Sequence, residues 1–169
     1  IFAKNYKPLA KALGSERLAA EIMEEIPTRA NFARYGKSKL DIIDPWGGGQ
    51  YEEAFVGSYV DNFVGIKQSA RSYVVFLNRM RVDTFDRMIE LAENSNKWRV
   101  RLGMKPVDVD DPKFLEALGE MINTSTGRGR IPGGEAAEGA AKFLATYLFS
   151  PRLLASRFQI LNPFYYVHL

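Results

Sequence analysis

Apolar residues recur at helical spacing along most of the chain. Leu18, Ile22 and Ile26 share one face of a segment whose polar side carries Glu21, Glu24 and Glu25. Ser15 stands where an N-cap belongs and Pro27 closes the pattern, so a helix is predicted from Ser15 to about Ile26. The strongest helical pattern runs from Ser69 to Glu93. Ala70, Tyr73, Leu77, Met80, Thr84, Met88 and Leu91 form its stripe, and Val74, Phe85 and Ala92 widen it. Arg79, Asp83, Asp86, Arg87 and Glu90 occupy the opposite side, with Asp83 and Arg87 in register for an i,i+4 ion pair. Such a helix is on the order of 36 Å long. Asn94-Ser95-Asn96 is expected to stop it. Trp98, Val100 and Leu102 then alternate with Arg99 and Arg101, which suits a short strand or one more helical turn.

Asp111-Pro112 combines a cap with proline in the first helical position, and Phe114, Leu115, Leu118, Met121 and Ile122 supply the apolar face that follows. An alanine-rich helix is expected over Glu135–Phe149. Ser150-Pro151 opens a last helix through Leu153, Leu154, Phe158 and Leu161, closed by Asn162-Pro163. Between these elements, Thr28–Gln50 reads as a long irregular connection in which Leu40–Ile43 acts as an apolar anchor, and Asn123–Gly134 reads as a loop. The fold class is therefore mainly α: five or six helices around one long central helix, as an irregular multi-helix domain or an extended helical segment. Residues 1–64 hold the N-terminal helices and the Gly/Pro-rich connection, and residues 65–169 hold the main helical region.

Composition changes this picture little. With 169 residues, 46% hydrophobic and 25% charged, the chain has the make-up of one globular domain. The net charge of +3 permits contact with a polyanion without requiring it. The lack of cysteine removes disulfides, thiol nucleophiles and cysteine-ligated metals. The longest apolar stretch, Ala136–Phe149, is too short to span a bilayer and contains Glu138 and Lys142. The chain begins with Ile1 and ends in the aromatic run NPFYYVHL. That pattern is expected of a segment of a longer polypeptide, with Phe164, Tyr165 and Tyr166 as a candidate interaction surface.

Candidate chemistry is sparse. Thr126-Gly127-Arg128-Gly129-Arg130 has glycines that let backbone amides approach a phosphate, and arginines that can neutralise one, just before a predicted helix start. Its spacing is not that of a P-loop. Arg128 and Arg130 are thus candidate phosphate or nucleic-acid contacts, against the plainer reading that they pair with carboxylates inside the fold. Trp98 with Arg99 and Arg101, and Arg152 with Arg157, are weaker candidates of the same kind. Asp108, Asp110 and Asp111 lack the glycine and distal glutamate of a calcium loop and read as a turn and a helix cap. His168 is a lone histidine, and Glu24-Glu25 and Glu52-Glu53 read as solvated surface. No catalytic, metal or cofactor-binding residue is assigned, and no cofactor is expected.

Three stretches carry a resemblance: Ser69–Met88 (SARSYVVFLNRMRVDTFDRM), Ile122–Arg130 (INTSTGRGR) and Phe149–Pro163 (FSPRLLASRFQILNP). Together they resemble the large-polyvalent-protein-associated helical regions of very long bacteriophage proteins, over roughly residues 65 to 163. The resemblance implies a non-enzymatic structural or interaction segment of an internal or ejected virion protein. It would reside in the virion and, after DNA ejection, in the host cell. The implied partners are other virion proteins or copies of itself. DNA is a further possible partner under the alternative of a nucleic-acid-binding accessory module. No small-molecule substrate is implied, and contact with a membrane stays open. The family assigns no catalytic residue to this region.

Overall fold

Ser15 caps the first helix: its backbone is extended and its Oγ accepts from the Leu18 N–H at 3.4 Å, satisfying one of the amides that a helix start leaves open. The structure is a computed structural model that describes residues 15–46, 64–128, 157 and 159–162. Helix α1 spans Glu16–Glu25, and Pro27 turns it into a 3-10 turn over Ile26–Thr28. A short helix α2, Phe32–Lys37, follows inside the stretch expected to be irregular. Six residues interrupted by Gly36 are too few for the apolar period to register. Leu40 and Ile43 are buried, so the predicted anchor does tuck in.

Helix α3 runs over Val64–Arg101, 38 residues, or about 57 Å. It passes straight through Asn94-Ser95-Asn96, which was expected to end it. The polar groups there find partners that leave the helix intact. Ser95 Oγ donates to the Ala92 carbonyl at 2.8 Å, and Asn96 exchanges two 2.7 Å bonds with the backbone of Val107. Trp98–Arg101 therefore continue the helix, Leu102 begins the turn that follows, and among the described residues there is no strand. The helix ends at Gly103, whose φ of 68° suits the reversal. Helix α4 spans Pro112–Ser125, capped by Asp111, whose side chain accepts from the Lys113 N–H at 3.1 Å. It reaches three residues into the expected loop, Asn123 to Ser125, and the chain reverses at Gly127, φ 88°. Residues 159–161 are helical, as the last predicted helix requires. The predicted Glu135–Phe149 helix lies outside the described residues.

The buried face of α3 is rotated by about a third of a turn from the predicted stripe, at 3.6 residues per turn. Val74, Asn78, Arg81, Val82, Phe85 and Ile89 point inward, whereas Tyr73 and Leu91 are exposed at 47% and 46%. The reason is that two polar residues, Asn78 and Arg81, sit at the centre of the inward face, so hydrophobicity misplaces its axis. The expected Asp83–Arg87 pair is also replaced. Asp83 pairs with Arg29 at 2.7 Å, and Arg87 turns to Glu90.

One core joins both parts of the chain. Ile26, Tyr35 and Leu40 pack with Val82, Phe85 and Ile89 of α3 and with Leu115, Leu118 and Ile122 of α4. The Tyr35 and Phe85 rings meet edge to face, centroids 5.2 Å apart. α4 approaches the end of α2 so closely that a Cβ on Gly119 would collide with the Ser38 carbonyl.

Candidate functional site

Two polar clusters and one helix end concentrate the chemistry of the described residues. The first cluster lies where α1 and α2 meet α3. Arg29 reaches three carboxylates: Asp83 at 2.7 Å, Asp86 at 2.9 Å and Glu25 at 3.0 Å. The other oxygen of Asp86 accepts from the Tyr35 hydroxyl at 2.7 Å and from the Asn31 amide at 3.0 Å. Burial disfavours the charge on Arg29, but the bonds it donates to Asp83 and Asp86, with the Asp83 charge, outweigh it and raise its pKa above the ordinary arginine value. Burial first, and then its bond to Asp86, push the Tyr35 phenol up as well. The cluster is closed: Asp86 already accepts from three donors, so it is built as a joint.

An open groove beside it is lined by Asn31, Arg34, Lys37, Asp86, Glu90 and Asp110. Arg34 crosses it with two bonds to Asp110, at 2.9 and 3.2 Å. The bond from Arg34 holds Asp110 below the usual carboxylate range and in turn raises Arg34. Asp110, read from sequence as part of a solvated turn, is thus a strut to α2.

The second cluster pins residues 39–43 across α3 and α4. Asn123 donates to the Lys39 carbonyl at 3.0 Å and accepts from the Asp41 N–H at 2.9 Å. Asn78 accepts from the Ile43 N–H at 3.1 Å and donates to its carbonyl at 2.6 Å. Arg81 is fully buried and donates to the Asp41 carbonyl at 3.0 Å and to Thr126 Oγ1 at 2.8 Å. Side chains on two helices therefore do for residues 39, 41 and 43 what a neighbouring strand does in a sheet.

Arg128 belongs to this cluster. Its side chain is only 8% exposed, and its Nε lies 3.3 Å from Asp41 Oδ2. The plainer of the two sequence readings describes that geometry. Arg130, Phe164, Tyr165, Tyr166, Arg152 and His168 lie outside the described residues. Sequence reasoning missed Asn78, Arg81 and Asn123. The available signal was a pair of polar residues interrupting the apolar face of an otherwise amphipathic helix.

The third feature is the end of α3, where Trp98, Val100, Leu102 and Met104 are exposed among Lys97, Arg99, Arg101 and Lys105. Among the described residues no group of three or more His, Cys, Asp or Glu side chains is placed to hold a metal ion. Comparison with family models, curated proteins and solved structures returns no match.

Proposed function

We propose that this chain is a structural and interaction module of a large phage virion protein, packing against copies of itself or other virion proteins. The phage context rests on the resemblance of its three stretches. The observation that carries the structural reading is how the described residues use their charges. Arg29, Arg34, Arg71, Arg79 and Arg128 each join separate segments through a carboxylate, and Lys39 does the same with Glu116. Exposed ion pairs add little stability individually. A half-buried network of them fixes how helices sit relative to one another, which is what a load-transmitting or assembly module needs. Mass spectrometry of purified particles tests the reading: the full-length protein bearing this segment is expected among the virion proteins, and its absence from them overturns the proposal. A nucleic-acid accessory role through Arg128 and Arg130 ranks second, because Arg128 faces Asp41. It predicts a steep salt dependence of binding that Arg128→Ala with Arg130→Ala flattens.

A further inference from the structure

Beyond Ile89 no residue of α3 is buried, so its last twelve residues extend about 18 Å past the core. Four large apolar side chains crowd the end of this arm, with Trp98 64%, Val100 61% and Leu102 73% exposed, and Met104 nearly half exposed. Lys97, Arg99, Arg101 and Lys105 lie between them, and the sequence has no acidic residue from Asn94 to Val107. Elsewhere in the described residues most arginines are tied to carboxylates. Here Lys97 donates to Asn94 at 3.1 Å, Arg99 to the Lys105 carbonyl at 2.9 Å, and Arg101 lies against the Trp98 ring at 4.9 Å. None of the four is in an ion pair among the described residues.

We propose that the tip of α3, Lys97–Lys105, is an interfacial anchor for an anionic lipid surface. Three observations select a bilayer over other occupants. First, at about 100° per residue Trp98 and Leu102 lie on one side of the helix and Val100 nearly opposite. A protein groove covers one such stripe, whereas a fluid interface envelops the whole end. Second, the carbonyls that a helix end normally leaves to water are already bonded. The Leu102 N–H reaches the Trp98 carbonyl at 3.0 Å, Gly103 reaches Val100 at 3.1 Å, and Met104 reaches Arg99 at 2.8 Å. Lowering this end into the headgroup region therefore strands few backbone acceptors. Third, Arg101 covers one face of the indole, a face that nucleic-acid stacking would use, while long cationic side chains around tryptophan suit the headgroup layer. No described helix is long and apolar enough to cross a membrane, so the contact is with the surface.

Vesicle co-sedimentation of the 169-residue chain tests the proposal. Vesicles of phosphatidylcholine with phosphatidylglycerol are expected to bind it at least about tenfold more tightly than phosphatidylcholine alone, less so as salt is added. Replacing Lys97 and Arg101 together by Gln should weaken binding about thirtyfold, from roughly 1 kcal/mol per cation. Trp98→Ala should weaken it about tenfold, with the helical circular dichroism unchanged. A second readout does not depend on these variants. In a Trp46→Phe background Trp98 is the sole tryptophan, and its emission should shift to the blue and be quenched by brominated acyl chains. Any of four results overturns the proposal: no vesicle binding, equal binding to neutral and anionic vesicles, an unquenched Trp98, or binding unaffected by the variants. Tight binding to a single-stranded oligonucleotide without vesicle binding would assign the tip to nucleic acid instead. Tip-dependent dimerisation without vesicle binding would assign it to a second copy.

Discussion

Tyr35 keeps its proton in a place that favours the neutral phenol twice over, by burial and by its 2.7 Å bond to Asp86. Its pKa in the folded protein is therefore above the value of about 10 that it has in an unfolded chain. The resulting stabilisation is full below pH ~10 and is lost as pH rises through the folded value, because the unfolded state then gives up its proton first. Tyr35→Phe should cost about 1 kcal/mol at neutral pH. In urea titrations repeated from neutral pH upward, the gap between wild type and variant should narrow above pH ~10. A constant gap would mean that Tyr35 is not held neutral by the fold. Single residues were legible from sequence where their partners are local. Ser15 and Asp111 cap the helices they precede, and nothing distant is needed to see it. Arg29, Arg128 and Asp110 were opaque because each chooses its partner from another segment.

Gly119 shows how elements constrain one another. As a mid-helix glycine it costs α4 about 1 kcal/mol relative to alanine. Yet a Cβ there would strike the Ser38 carbonyl and come within 2.9 Å of its carbon. Gly119→Ala should therefore destabilise the protein by about 2 kcal/mol or more, against its propensity. Gly36, in α2, has nothing within 4 Å of its added Cβ. Gly36→Ala should stabilise by up to about 1 kcal/mol. Chemical denaturation of the two variants should move in opposite directions, and a shift of the same sign would contradict the close α2–α4 approach. The helices themselves were largely legible: α1, α4 and most of α3 follow from caps, prolines and period. The run of α3 past Asn94 was not, because Asn96 spends its side chain on Val107 in a loop that folds back. Hydrophobicity also pointed the helix the wrong way, since the inward face carries Asn78 and Arg81.

At the scale of the molecule, one core joins Ile26, Tyr35 and Leu40 to residues of α3 and α4. Phe85 is completely buried in it, touching Tyr35 from α2 and packing with α3 and α4 neighbours. Phe85→Ala should cost about 3–5 kcal/mol. Because the described helices share that core, far- and near-ultraviolet circular dichroism should report one coincident transition, shifted equally by the variant. Separate transitions would show that the N-terminal helices dock as an independent unit. The mainly helical class was legible from the outset. The sharing of one core was not, since it depends on contacts between residues some fifty to eighty positions apart, such as Arg29 with Asp83 and Lys39 with Glu116. The segment at 39–43 carries this one step further. Asn78, Arg81 and Asn123 recognise its main chain, whose atoms are common to nearly every amino acid. The instruction for where that segment lies is thus written in the helices it touches. Drift among relatives should fall unevenly: these bonds do not read the side chains of the segment itself, while the two helical asparagines, which look like ordinary polar positions, have almost no acceptable substitute.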